Sequence, residues 1–206
     1  MKKFLTRIPL QAAGNLKRME YMAADNKRLE MDALISFPIL TAVNGFVKDG
    51  EDFEILAVVA DSEAEEQNFR ELCNQVNELF GKNKGEIKIA KIVIKSGQGL
   101  SEQVETFQKL IDEVEDDDEL FVCMTFGTKP QSHVMMMAAQ YAYRVKNNVS
   151  VQCVLYGEID RSQGVQNPVA RVYDMTGLVQ LDEAVRILGE RKVRHPERII
   201  RNILSL

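Results

Sequence analysis

The stretch from Asp116 to Lys146 constrains the fold most. Asp116, Asp117 and Asp118 mark an exposed turn, and Glu119 to Met124 follows as a mostly apolar run of strand length. Then comes Thr125-Phe126-Gly127-Thr128-Lys129-Pro130, after which Val134, Ala138, Tyr141, Ala142 and Val145 recur at helical spacing. Gly127 permits backbone angles closed to other residues, and Pro130 suits the first turn of a helix, where no N–H is needed. The reading is strand, tight polar loop, helix. In an open parallel sheet such a loop lies at the carboxyl edge, where ligands bind. Two hydroxyls, a glycine and a lysine at a helix start suit an anion, because free N–H groups and the helix dipole favour negative charge. A plain strand-to-helix turn with a solvated lysine fits the same spacing.

The alternation extends in both directions. Lys2 to Leu10 reads as a strand with Phe4, Leu5 and Ile8 apolar, interrupted at Pro9. Gln11 to Ser36 is a long, mixed connection, and Phe37 to Val47 a short helix. Phe53 to Ala60 is the clearest buried strand. Asp61-Ser62 offers a cap to a helix reaching Phe80, with Glu63, Glu65 and Glu66 in its first turn and Phe69, Leu72, Val76, Leu79 and Phe80 inward. Glu86 to Ile94 is another strand. After the Lys95–Gly99 loop, Ser101 is expected to cap a helix to about Glu115, with Val104, Phe107, Leu110, Ile111 and Val114 on one face. Val149 to Tyr156 and Val169 to Met175, joined by a polar excursion containing Gly164, predict an antiparallel pair. A helix capped by Thr176 runs to Leu188 and is closed by Gly189. The expected architecture is α/β: a Rossmann-like, doubly wound, mostly parallel sheet with helices on both faces and an antiparallel edge pair. It is expected to span residues 1–189. A basic tail, 190–206, should form a short helix packing its isoleucines on the body.

Composition narrows the function. Apolar residues make up 45% of the 206, enough for a real core. A net charge of -5 argues against duplex nucleic acid as a partner. Cys73, Cys123 and Cys153 are scattered, with neither a disulfide framework nor zinc spacing, which predicts a reducing, cytoplasmic setting. Met1 to Leu10 is too short and interrupted for a signal peptide, and no apolar run is long enough to span a bilayer. His133 and His195 stand far apart and read as surface or structural residues, so neither metal nor cofactor is expected.

No phosphate-loop spacing and no glycine-rich dinucleotide fingerprint is present. The carboxyl ends of the first strand and of the Glu119–Met124 strand would converge on one edge. Thr6, Arg7, Gln11, Ser96, Gln98, Thr125, Thr128 and Lys129 could then line one pocket. Arg7 could pair bidentately with a phosphate, and Ser96-Gly97-Gln98-Gly99 could approach one closely. Taken singly, a surface arginine and a turn fit these two features as well.

Three segments together resemble the CARF family, the CRISPR-associated Rossmann-fold sensors. They are the amino-terminal Lys-Lys-Phe-Leu-Thr-Arg-Ile-Pro-Leu, the Leu-Phe-Val-Cys-Met-Thr-Phe-Gly-Thr-Lys-Pro run with the helix after it, and the closing Val-Leu-Tyr-Gly-Glu with Arg-Val-Tyr-Asp-Met-Thr-Gly-Leu. The resemblance implies a homodimer whose two-fold pocket binds a cyclic oligoadenylate, the second messenger of type III CRISPR antiviral defence. Cyclic tetra-adenylate is expected over the hexa-adenylate. Carried over, the ligand-binding segments are Thr6 to Gln11 and Thr125 to Lys129, including Phe126 and Gly127. Family sensors usually carry an effector domain after this part. The short tail here has no Arg-x-x-x-x-x-His ribonuclease motif, so the expectation is a stand-alone sensor or adaptor, with an effector protein as a further partner. Two alternatives stay open. One is a metal-independent ring nuclease, in which a ribose 2′-hydroxyl attacks the adjacent phosphate and Lys129 and Arg7 are catalytic. The other is an unrelated α/β enzyme binding a nucleotide or sugar phosphate.

Overall fold

The computed structural model describes residues 1–12, 14–162 and 168–204. Among these residues eight strands form one sheet: β1 (Lys2–Arg7), β2 (Met19–Ala23), β3 (Leu34–Ile35), β4 (Phe53–Ala60), β5 (Ile87–Ile94), β6 (Glu119–Cys123), β7 (Ser150–Asp160) and β8 (Val169–Asp174). Their order is β3-β2-β8-β7-β6-β1-β4-β5. The pairs β1–β4, β4–β5, β1–β6, β6–β7 and β2–β8 are parallel, whereas β7–β8 and β2–β3 are antiparallel. The helices are α1 (Ile39–Phe46), α2 (Glu63–Phe80), α3 (Leu100–Asp112), α4 (Lys129–Val145), α5 (Thr176–Glu190) and α6 (Pro196–Leu204). The expected Rossmann-like architecture is therefore the one observed.

The central strands read as apolar runs because both their faces are covered. Successive side chains point to opposite sides. Phe4, Phe53, Ile55, Val59 and Phe121 join α1 and α2 in one core layer. Leu5, Leu56, Val58, Leu120 and Val122 join α3, α4 and Val179 of α5 in the other. Phe4 stacks on Phe121 at 4.5 Å and meets Phe53 edge-on at 5.7 Å. Each such side chain, fully buried, contributes about 1.5–3 kcal/mol of transfer free energy.

Several boundaries differ from the sequence expectation. The Gln11–Ser36 connection carries β2 and β3, which extend the sheet beyond β8. Strand β7 runs on to Asp160, so part of the expected excursion is strand, while 163–167, Gly164 included, lies outside the described residues. Gly99, not Ser101, caps α3, because Gly99 is the extended residue and Ser101 already lies in the first turn. Gly189 falls inside α5. Val104 of α3 and Val145 of α4 are exposed rather than inward. The tail forms α6, but it touches α5 and leaves Ile199 exposed rather than packing it into the body. Among the described residues no helix is long and apolar enough to cross a membrane.

Candidate functional site

From β1 the sheet grows through β4 to β5 on one side and through β6 to β7 on the other. The direction of winding reverses between β1 and β6, and their carboxyl ends open a crevice there. The 125–128 loop that follows β6 forms one wall. Gly127 is exposed and has φ +97°, the left-handed region, and a Cβ there would lie 2.9 Å from Arg7 Cγ and 3.0 Å from Gln131 Oε1. Only glycine lets the loop bend this way and rest on those side chains.

The loop is fastened at both ends. Thr125 Oγ1 accepts a hydrogen bond from the Gly157 N–H at 2.7 Å, tying it to β7. Gly157 permits this approach, since a Cβ there would meet Pro38 Cγ at 2.4 Å. At the other end Thr128 is the N-cap of α4, with Pro130 in the first turn and Gln131 closing a capping box. The Thr128 N–H donates to Gln131 Oε1 at 3.1 Å. The Thr128 hydroxyl donates to Gln98 Oε1 at 2.6 Å, which brings the loop before α3 to the same crevice.

Beneath Gly127 lies a buried charge cluster. Arg7 is 1% exposed and Glu65 fully buried. The guanidinium forms a two-pronged ion pair with the Glu65 carboxylate, the Nη2–Oε1 arm at 2.7 Å. Arg7 Nη1 also donates to the carbonyls of Ile8 (2.9 Å) and Val58 (2.8 Å), and Nε donates to Gln131 Oε1 at 3.3 Å. Glu65 Oε2 accepts from the Ala60 N–H at 2.5 Å. Arg7, expected to face a phosphate, is thus consumed internally and cannot reach a ligand in this arrangement. Thr6 is also buried, with its hydroxyl beside the Cys123 thiol. Both residues support the crevice from below.

The remaining expected residues divide around Gly127. Gln98, Thr128 and exposed Lys129 stand on the α3 side, with Ser96 exposed further out, its carbonyl accepting from Gln98 Nε2 at 3.4 Å. Phe126 and Gln11 lie on the β2 side. Asn68 of α2 holds the Gln11 segment by donating to the carbonyls of Pro9 and Gln11, both at 2.8 Å. Nearby cations are mostly committed: Lys95 to Glu105 at 2.7 Å, and Lys91 to Glu66. Lys129 has no ion-pair partner among the described residues. Burial pushes the Cys123 thiol above its ordinary range, and burial with Asp174 pushes Cys153 up to about 12. Both thiols stay protonated and unreactive at neutral pH.

Alongside the crevice, α3 and α4 flank an apolar groove of about 300 Å³. Leu100, 81% exposed, and the exposed Val104 and Met137 border it, together with Pro130 and His133. Buried Gln103 reaches the same place, and its Oε1 has no hydrogen-bond partner among the described residues.

Glu65, Gln131 and Asn68 were not among the expected site residues. Two had readable signals. Thr128-x-x-Gln131 is a capping-box pattern, and Glu65 shares a helical stripe with Phe69, Leu72 and Val76. Compared with family models and with curated proteins, the chain matches none.

Proposed function

We propose that this chain is a CARF-type sensor that binds a cyclic oligoadenylate, cyclic tetra-adenylate in preference to the hexa-adenylate, across the two-fold axis of a homodimer. The observation that carries this reading is the bent Thr125–Lys129 loop. It sits at the reversal of the sheet with Gly127 exposed and Lys129 without an ion-pair partner among the described residues. A helix start, an exposed glycine and a free ammonium group form a cradle for phosphate. Two such cradles facing each other would match a ring of phosphates. The apolar α3–α4 groove borders the cradle through Pro130 and His133, and it supports a second copy of the chain as the neighbour.

The sensor reading is favoured over the ring nuclease because one of the two cations named for the nuclease is spent. Arg7 is sealed against Glu65, so it is not offered to a developing charge on phosphate. Lys129 alone remains for that role.

Calorimetry with cyclic tetra- and hexa-adenylate, and sedimentation with and without them, test the proposal. The expected result is binding of one ring per two chains, without turnover, and loss of binding in Lys129→Ala. Absence of heat and of any melting shift with either ring would refute it. Linear products with a 2′,3′-cyclic phosphate end, made without metal, would move the assignment to a ring nuclease.

A further inference from the structure

Helix α5 is loosely seated on the body. Among the described residues it buries only Val179, and Ile187 is 37% exposed. Under one flank lies a cavity of about 470 Å³, walled by the end of α4, the start of β7 and α5 itself. Tyr143, Val149, Val151, Val179, Ala184 and Ile187 line it. Polar groups at its margin are already engaged with one another. The Tyr143 hydroxyl donates to Glu183 Oε2 at 3.0 Å, Arg144 and Arg186 donate to the same carboxylate, and Ser150 Oγ accepts from Gln152 Nε2 at 2.9 Å. A polar metabolite would find few free partners there, whereas aliphatic side chains would fill the gap.

The charge beside the cavity narrows the occupant further. Gln180, Ala184, Ile187 and Arg191 follow at helical spacing along that flank, a length of roughly 16 Å. Arg191 closes the row, its N–H donating to the Ile187 carbonyl at 3.0 Å. Residues 191–201 then carry Arg191, Lys192, Arg194, Arg198 and Arg201 against one carboxylate, Glu197, on a chain whose net charge is -5. None of these cations has an ion-pair partner among the described residues. The acids of α5 do have partners: Asp182, Glu183 and Glu190 are each held by Arg144 or Arg186. An aliphatic gap beside unanswered cations calls for aliphatic side chains and carboxylates together. A second copy seated by the same face would set these cations against their own kind. A lipid surface is too flat to fill a concave gap, and nucleic acid brings no aliphatic side chains to it.

We propose that this flank of α5, with the basic segment after it, is a docking groove for an acidic amphipathic helix of a second protein. The apolar side chains of that helix enter the cavity, and its carboxylates pair with Arg191, Lys192 and Arg194. The groove lies at the opposite end of α4 from the phosphate cradle, so either can fail without the other.

In the test, the full chain is panned against a display library of peptides about five helical turns long. Leucine is fixed at helical spacing and the other positions are random. Recovered peptides are expected to be rich in Asp and Glu. Ile187→Glu should weaken them about tenfold, and so should Ala184→Leu, which fills the gap without adding charge. Arg191→Glu combined with Arg194→Glu should also weaken them about tenfold, with a smaller loss at high salt. These two positions are exposed, so they keep the test decisive if an apolar variant fails to fold. Val185→Glu, 53% exposed and outside the cavity lining, should leave affinity unchanged. Recovery of no peptide, recovery of peptides that are not acidic, or indifference to the Ile187, Ala184 and arginine substitutions would overturn the groove. So would binding of phosphatidylglycerol vesicles or single-stranded RNA through Arg191 and Arg194 with no peptide competing. Self-association in sedimentation that Ile187→Glu abolishes would assign the face to a second copy instead.

Discussion

At the amino end of β1, Lys3 is buried beside Asp118 at 3.1 Å and donates to the Glu113 carbonyl at 2.5 Å. At the carboxyl end, Arg7 is buried against Glu65. One strand thus carries a buried ion pair at each end, and the two differ in what surrounds them. Asp118 has several partners: Lys3, the Glu115 N–H at 2.7 Å and the amino terminus at 2.9 Å. Losing one leaves the others. Among the described residues Arg7 has one anionic partner, and the neutral carbonyls around it cannot replace the charge. The planar guanidinium, unlike an ammonium, can also hold Glu65, two carbonyls and Gln131 at once. The amino-end pair fastens the Asp116–Asp118 turn to the sheet. The carboxyl-end pair supports the loop on which function is proposed.

The largest expected effect follows from that asymmetry. Glu65→Ala leaves an uncompensated buried guanidinium and should lower the unfolding free energy by about 3–5 kcal/mol in urea denaturation. Lys3→Met leaves Asp118 with its remaining partners and should cost about 1–2 kcal/mol. Equal losses would break the comparison. Next, Gly127→Ala forces a side chain into left-handed backbone against Arg7 and should cost about 1–3 kcal/mol. The same substitution should abolish cyclic tetra-adenylate binding, and unchanged affinity would separate loop shape from function.

A pH series sharpens the contrast at the amino end. Burial raises the Asp118 pKa, but the Glu115 N–H, the amino terminus and Lys3 outweigh it, and the carboxyl ends below its ordinary value. A lowered folded-state pKa stabilises fully above the unfolded aspartate value, about 4. That contribution is lost as pH falls through the lowered folded value. Asp118→Asn should therefore flatten the acid limb of the melting curve, and an unaltered limb would remove Asp118 from the account. The smallest stability effect is expected for Lys129→Ala. It should change the unfolding free energy by less than about 0.5 kcal/mol, while messenger affinity falls.

The alternation of strand and helix was readable because each central strand is a dense apolar run and each long helix carries a stripe. Ser62 and Pro130 marked two helix starts where the structure has them. Strands β2 and β3 were not readable. They lie at the sheet border; in β2, Met19, Tyr21 and Ala23 face the core and Glu20 and Met22 are exposed, but apolar Met22 on the outer face hides the alternation in the sequence. The loops that border the crevice were legible, and the residues beneath them were misread. Arg7 beside Thr6 resembles a phosphate ligand only while Glu65 is taken for a helix-dipole acid. Glu63, Glu65 and Glu66 all suit the helix dipole, but only Glu65 shares the stripe of Phe69, Leu72 and Val76, and it alone of the three is buried. That Arg7 is its partner depends on packing of α2 over the end of β1, a long-range contact that local sequence does not encode.

The two borders of the sheet bear on how copies of this chain can meet. Strand β3 is two residues long, and β5 carries exposed Lys88 and Lys91 along the opposite border. A strand added at β3 would gain few hydrogen bonds, and one added at β5 would crowd ammonium groups. Assembly by continuing the sheet from one molecule into the next is therefore disfavoured at both margins. That leaves helices and loops as the surfaces through which such molecules can associate without polymerising.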